Sequence, residues 1–437
     1  MNSLGDKEVK SLDEKHDSKE LDGASGSYLE ASTTSDDNDF DPEHNLPRNA
    51  GFMSAFSNVI CIIIGTGCLQ IPYAFAKTGW IGVIIIVISA FIGMYTGNLT
   101  IKCLYYKPGH RLHSFPDIGQ AAFGRIGRYF TLFFNYLYSL GTTCLYLILA
   151  GQFINQLLVT LNVDLGKRIW IVICGVVVWI PVVIVKNMSE VAILALFGFL
   201  ASVVVIIFSV IQSFRFPDIN AHHDPAIGVG IPVALSSIVF SFAGTIVYPH
   251  VEASMKKPKQ WPYVVISAMV VCCSLYVLIG VVGYWAYGTT VKSPILDTIP
   301  SGPLTTIAII LITLHVLLAA PIMLMSYFLE TERMLNLKKR WKWSIYRTVV
   351  VIALTGISCA IPYFSDFLSL IGALATTTMF CIVPIIGYLR LYGWRRVSWY
   401  EMLWMAIVLA IGLVGCVWGS IDAIKALVND VQNDKNH

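Results

Sequence analysis

The chain has 437 residues, of which 56% are hydrophobic and 13% are charged, and its mean hydropathy is +0.68. This composition excludes an ordinary soluble domain, and a net charge of +3 gives no basis for a nucleic-acid partner. Apolar runs long enough to span a bilayer recur down most of the chain. There are eleven: 52–76, 80–104, 130–158, 168–185, 190–212, 228–254, 263–286, 304–328, 344–362, 367–390 and 401–421. We therefore predict an all-α polytopic membrane protein with eleven transmembrane helices.

The first 47 residues are of a different character. They contain thirteen acidic residues and almost no large apolar ones, so they cannot bury enough surface to fold. We expect a disordered cytosolic tail (residues 1–47), a transmembrane domain (48–425) and a short C-terminal tail (426–437). With the acidic tail in the cytosol, eighteen Lys and Arg residues fall on the cytosolic side and seven on the other. Positive residues favour the cytosolic side, so the C-terminus is predicted to be lumenal or extracellular.

The first span is interrupted by two glycines and a proline. It reads VICIIIGTGCLQIPYAF, and the interruption begins at Gly65 and ends at Pro72. A break at mid-depth frees backbone N–H and C=O groups, and each unsatisfied group costs several kcal/mol in hydrocarbon. Such a cost is tolerable where a ligand, an ion or water satisfies those groups.

The third span carries a polar stripe at helical spacing, formed by Asn135, Tyr138, Thr142 and Tyr146. Hydrogen bonding between neighbouring helices is the expected role of most of this stripe.

The sixth span repeats the pattern of the first. It reads SIVFSFAGTIVYPHVEA, and Gly244 precedes Pro249 by the same five positions that separate Gly67 from Pro72. The two spans run in opposite directions, and interrupted helices at matching places in two halves are typical of inverted-repeat transporters. Five spans, five more and one extra account for the eleven.

Two opposed breaks offer a site for a zwitterion. A half-helix N-terminus carries partial positive charge, which suits a carboxylate, and freed carbonyls suit an ammonium group. The backbone candidates for this substrate site are Gly65, Thr66, Gly67, Phe242, Ala243, Gly244 and Thr245. The alternative is a proline kink with glycines that pack against a neighbouring helix.

Three ionisable residues at membrane depth are candidates for carrying a coupling proton. His315 lies in the middle of the eighth span, whereas His250 and Glu252 follow the break in the sixth. Glu252 has a structural alternative, an ion pair with Lys256 four residues on. His315 has one too, as a neutral imidazole bonded across helices.

Several motifs resemble the amino acid/auxin permease family, most of all its vacuolar amino acid transporter branch, with the vesicular inhibitory amino acid transporter nearby. They are GTGCLQIPYA in the first span, FPDIGQAAFG after the second, IVYPHVEASMKKP in the sixth and AIPYFSDFLSLIGAL before the tenth. The resemblance implies a LeuT-like fold, proton coupling, neutral amino acids as cargo and a vacuolar or vesicle membrane. In such a fold the third span lines the site, which makes Tyr138 a candidate. Where that branch often has Asn in the first span, this chain has Cys61.

We predict a secondary active transporter that exchanges protons for amino acids, which it moves into an acidic vacuole or vesicle. The alternatives are a plasma-membrane symporter coupled to protons or sodium, with Thr313 as one oxygen ligand, and an amino acid sensor. No nucleotide-binding motif and no cluster of catalytic or metal-ligating residues occurs, so we expect neither an enzyme nor a cofactor nor a resident metal. The expected partners are the amino acid, the proton and the bilayer, with a monomeric transport unit.

Overall fold

The computed structural model describes residues 40–41, 46–184, 192–335 and 339–436. Most of the predicted acidic tail lies outside the described residues. Its described part is a pair of antiparallel two-residue strands, β1 (Phe40–Asp41) and β2 (Leu46–Pro47).

The remaining elements are helical. They are α1 (Phe52–Ile63), α2 (Ile71–Thr78), α3 (Gly82–Leu104), α4 (Phe115–Val159), α5 (Lys167–Ile184), α6 (Ala192–Arg215), α7 (Ile231–Ser241), α8 (Tyr248–Ala253), α9 (Trp261–Tyr287), α10 (Pro303–Met334), α11 (Arg340–Ala360), α12 (Phe364–Ile371), α13 (Val383–Tyr388) and α14 (Trp399–Asn436). Over the described ranges, nine helical segments are long and apolar enough to cross a membrane. Two shorter apolar helices, α1 and α7, precede the two predicted breaks. The prediction of an all-helical membrane protein is confirmed.

The broken spans are packed inside the bundle. The first half-helix, α1, packs against α6 and α9, and α2 packs against α7 and α9. On another side of the molecule, α10 packs against α4, α5 and α6. Nearly all buried apolar side chains form one continuous cluster that reaches every span, which fixes the positions of the two breaks relative to one another.

The FPDIGQAAFG motif is helical. It forms the first turns of α4, where Ser114 and Asp117 make a reciprocal capping box. The backbone then bends at Gly124, whose φ of 66° is a left-handed conformation that favours glycine. A Cβ atom on Gly127 would lie 2.1 Å from the carbonyl oxygen of Gly119, so the two arms of the bend pack with backbone against backbone.

The tenth span contains wide helical turns. After α12 the chain forms π-helical turns over Gly372–Thr376 and Thr378–Ile382 before α13 begins. The Thr377 hydroxyl donates to the carbonyl of Gly372, five residues back, at 2.8 Å. Single π-turns of this kind often occur near functional sites. The first of these turns packs against α7, beside the break in the sixth span.

Candidate functional site

The two breaks lie side by side. In the first span α1 ends at Ile63, Ile64 and Gly65 are not helical, and a 3-10 helix over Thr66–Gln70 leads into α2. In the sixth span α7 ends at Ser241 and α8 begins at Tyr248. A Cβ atom on Gly67 would lie 2.7 Å from the Cα atom of Ser241, so the two interrupted backbones are in direct contact.

Tyr276 of α9 joins the two breaks. Its side chain is fully buried, and its hydroxyl lies 2.9 Å from the Ile63 carbonyl oxygen and 2.8 Å from that of Ser241. These carbonyls belong to the last residues of α1 and α7, whose oxygens lack partners within their own helices. One hydroxyl proton therefore serves both helix ends. Sequence reasoning missed Tyr276, although a tyrosine inside an apolar span needs a polar partner for its hydroxyl.

A small cavity lies at this junction. Its lining residues are Ile62, Ile63, Gly65, Thr66, Gly67, Tyr138, Thr142, Tyr146, Phe240, Ser241 and Ala243. The space open to a water-sized molecule is about 10 Å³, which is room for about one water. An amino acid therefore needs a wider arrangement of the same walls.

Of the predicted backbone candidates, Gly65, Thr66, Gly67 and Ala243 line the cavity. The other three do not. Phe242 packs on Tyr276 with ring centroids 5.0 Å apart, and Gly244 packs against Ile63 and Tyr248. Thr245 is buried away from the cavity lining.

The third span supplies the opposite wall. Tyr138, Thr142 and Tyr146, three of the four members of the predicted polar stripe, line the cavity. We expected hydrogen bonding between helices for most of this stripe, yet the Thr142 hydroxyl is buried and has no hydrogen-bond partner among the described residues. Ser241 and Phe240 complete the wall, and no sequence signal had singled them out.

The charges around the cavity come from the backbone. The amides of Thr66 and Gly67 head the 3-10 helix, where N–H groups have no partner within the helix. The helices α1 and α7 both end at the breaks, with the carbonyl groups of their last turns unpaired within the helix. Partial positive and partial negative charge therefore face one small space, lined by hydroxyl groups and apolar surface.

His315 lies apart from this cavity. It is 5% exposed within α10, and a Cβ atom on Gly198 would lie 2.2 Å from its Nδ1 atom, so the imidazole packs against the backbone of α6. Its Nε2 atom is buried and makes no hydrogen bond to any described residue.

Glu252 is fully buried in a polar cluster. Arg111 donates to its Oε2 atom through Nε at 3.0 Å and Nη2 at 2.8 Å, and the Tyr105 hydroxyl donates to its Oε1 atom at 2.6 Å. Arg111 also donates to the carbonyl of Pro249 at 2.6 Å. The expected partner, Lys256, is exposed instead. Arg111 lies 141 residues away in sequence, so local spacing could not reveal it. His250, the remaining candidate, is exposed.

Asp297 is a titratable group that sequence reasoning did not single out. It ends a 3-10 helix over Ile295–Asp297, and its Oδ2 atom accepts a hydrogen bond of 2.5 Å from the Nε2 atom of Gln152 in α4. Burial raises the pKa of this carboxyl group from 3.8 to about 6, against smaller lowering effects of the Gln152 hydrogen bond and the Lys292 charge.

Residues 48–425 match the family described as transmembrane amino acid transporter protein. The chain belongs to this family. Its members are transporters rather than enzymes, as the sequence predicts, and the family implies an amino acid substrate and a lipid environment. The chain is 28% identical to amino acid transporter AVT1J of Arabidopsis thaliana over 399 residues, which cover 88% of the chain and 93% of the relative. It is 26% identical to AVT1C of the same plant over 407 residues, 89% of the chain and 72% of the relative.

Solved structures show the same fold. MhsT in complex with L-phenylalanine superposes with a TM-score of 0.56 at 14% identity, over 85% of this chain and 98% of MhsT. Inward-facing Mhp1 gives a TM-score of 0.57 at 12% identity, over 88% of this chain and 92% of Mhp1. At such identities the likeness concerns the fold alone, and it is the LeuT-like transporter fold that the family resemblance implied.

Proposed function

We propose that this protein is a proton-coupled amino acid transporter whose substrate binds in the cavity between the two breaks. The observation that carries the proposal is the junction itself. Backbone from both interrupted spans and hydroxyl groups of the third span surround one buried space. In inverted-repeat transporters the substrate site lies where such interrupted helices meet.

The cavity suits a neutral amino acid. The amides of Thr66 and Gly67 are placed for the carboxylate, and the carbonyl ends of α1 and α7 for the ammonium group. Among the described residues, the cavity wall contains no charged side chain that would pair with a charged substrate side chain. The proposed topology has eleven spans in a 5+5 inverted repeat plus one, with α1 and α2 as one span and α7 and α8 as another.

The proposed coupling is proton antiport into an acidic vacuole or vesicle. We assign the coupling proton to His315, a deep imidazole with an unpartnered nitrogen among the described residues. Glu252, a second candidate, is held by Arg111 and Tyr105, an arrangement that favours a structural role. The N-terminus is proposed to be cytosolic and the transport unit monomeric.

Flux into proteoliposomes tests this proposal. We expect neutral amino acids to accumulate in liposomes with an acidic interior, in sodium-free buffer, and accumulation to disappear when a protonophore is added. Thr142→Val should raise the half-saturating concentration, because the Thr142 hydroxyl lies in the cavity wall.

Thr143→Val is the matched control. Thr143 is also buried, but its hydroxyl donates to the carbonyl of Ser139 at 2.9 Å and it is not part of the cavity wall. Substrate binding without flux would instead indicate a sensor, and flux that requires sodium would contradict the proton coupling.

A further inference from the structure

A large groove runs along the outside of the bundle between α3 and the start of α9. Its volume is about 1390 Å³. Along α3 the lining begins at Phe91 and ends at Tyr105, the residue after the helix, a distance of about 20 Å at the rise of an α-helix. Half of the hydrocarbon core is about 15 Å thick, so the groove is long enough to pass from the membrane surface to mid-depth.

The two ends of the groove differ in character. Phe91, Met94 and Ile266 form its deep end. Phe91 is 56% exposed and Ile266 is 42% exposed, so this end presents apolar surface to the surroundings of the bundle.

The shallow end is cationic. Arg48, Lys102 and Lys259 line it, and both lysines are exposed. Neither lysine forms an ion pair within the described ranges. The one carboxylate in the lining, Glu252, is already paired with Arg111. The two lysines therefore give the groove positive charge at the membrane surface, with apolar surface below it.

Buried polar atoms without partners lie in the same groove. Trp261 is 2% exposed, and its indole nitrogen has no hydrogen-bond partner in the described part of the chain. The Oδ1 atom of Asn98 is in the same situation. Trp261 is also the first residue of α9, whose N-terminus adds partial positive charge at this end.

We propose that this groove binds an anionic phospholipid of the cytosolic leaflet. Lys102, Lys259 and Arg48 would hold the phosphate headgroup, and one acyl chain would follow the apolar end. The cytosolic leaflet carries the anionic lipids, and basic pockets between transmembrane helices on that side bind such headgroups. The proposal rests on the proposed orientation but not on the proposed substrate.

Lipid binding is measured on the full-length purified protein by native mass spectrometry, without amino acid present. The probes are phosphatidylserine and phosphatidylcholine with the same acyl chains. We expect preferential retention of phosphatidylserine. The pair of substitutions Lys102→Ala and Lys259→Ala should lower its affinity about 30-fold, about fivefold for each lysine.

The control pair is Lys107→Ala and Lys257→Ala. Both lysines are exposed, lie on the same side of the membrane in the proposed topology and are absent from the groove lining. The charge change is therefore the same, and we expect less than about a twofold effect. Trp261→Phe keeps an aromatic ring and removes the indole donor, so it should weaken lipid binding without unfolding the protein. Thermal melting of each variant verifies that it is folded.

Four results would overturn the proposal. Equal affinity for the two lipids would remove the headgroup preference, and equal losses in the two lysine pairs would indicate non-specific surface charge. Displacement of the lipid by inorganic phosphate, at phosphate concentrations close to the dissociation constant of the lipid, would indicate a site for soluble phosphate. Binding that appears only after deletion of residues 1–47 would indicate that the acidic tail is the resident ligand.

Discussion

At Gly67 the backbones of the two interrupted spans are in direct contact. A Cβ atom there would lie 2.6 Å from the Oγ atom and 2.7 Å from the Cα atom of Ser241, and backbone cannot move aside cheaply. We therefore expect Gly67→Ala to separate the breaks and to lower the rate of amino acid uptake about tenfold, in line with an overpacking cost of about 1–3 kcal/mol. Uptake at equal protein abundance is the measurement.

Gly93 provides a comparison for that result. An added Cβ atom at Gly93 would meet the side-chain ends of Met269 and Phe380 rather than backbone. We expect Gly93→Ala to retain most of the uptake. Equal loss at Gly67 and Gly93 would show that the contact with Ser241 has no special role.

His315 is the residue to which we assign the coupling proton. Gln at position 315 keeps hydrogen-bonding capacity but cannot titrate. We expect His315→Gln to exchange labelled amino acid between two compartments at equal pH and to fail to concentrate it when a pH gradient is imposed. Concentration by the variant with normal dependence on the gradient would show that the proton travels through another group.

The cluster around Glu252 joins α8 to the segment between α3 and α4. Arg111 is 8% exposed, so Glu252→Gln leaves a buried guanidinium without its counter-charge, at a cost of about 3–5 kcal/mol. We expect a clear fall in the thermal unfolding temperature.

Replacing both Glu252 and Arg111 with Met should restore most of the stability, since an apolar pair often substitutes for a buried ion pair. A double variant that is stable but no longer couples flux to pH would assign the proton to Glu252.

The short 3-10 helix that ends at Asp297 is attached to α4 by the hydrogen bond between Gln152 and the Asp297 carboxyl group, which can titrate. The pKa of Asp297 is raised in the folded protein to about 6 from its ordinary 3.8, because burial penalises the charged carboxylate. The folded state therefore binds the proton more tightly than the unfolded state. This group's contribution to the free energy of unfolding is full below about pH 4 and is lost as the pH rises through about 6.

Asp297→Asn removes that titration and keeps a side chain that can bond to Gln152. Thermal unfolding of the two proteins between pH 4 and pH 8 should show a steeper loss of stability for the wild type between about pH 4 and 6. Parallel profiles across this range would mean that the Asp297 carboxyl group titrates normally.

Hydrogen bonds connect the two broken spans to each other and to their neighbours. Backbone hydrogen bonds join Ala50 to Ser254 and Lys256 at 2.9 Å, which ties the start of the first span to the end of the sixth. After the first break, the Gln70 amide donates to Ser365 at 3.1 Å and accepts from Ser293. Because the cavity between the breaks has room for about one water, entry of an amino acid requires these segments to move apart.

The side of the membrane on which each loop lies can be tested directly. We expect the loop over residues 256–262 to be cytosolic and the loop over 215–226 to be lumenal or extracellular, because positive residues are concentrated on the first side. Single cysteines in these loops, on a background without the ten native cysteines, should react with an impermeant reagent from opposite sides. Reaction of both loops from one side would contradict the eleven-span topology.

The local pattern of the sequence was sufficient for much of this architecture. Long apolar runs require helices in a membrane, because every backbone group must be bonded within its own segment. Glycine and proline disfavour such a helix, so Gly65 with Pro72, and Gly244 with Pro249, can be recognised in the sequence as interruptions. The helices and both breaks therefore follow from the local sequence, and the family resemblance follows from four motifs, two of which contain the breaks.

Tertiary structure decided which side chains meet. Helical spacing grouped Tyr138, Thr142 and Tyr146 on one face, but only the packing of α4 placed that face against the breaks. Glu252 pairs with Arg111 across 141 residues, and Asp297 with Gln152 across 145, whereas the local candidate Lys256 is exposed. Burial removes water from these polar groups and makes a partner necessary, while the fold determines which distant partner is within reach.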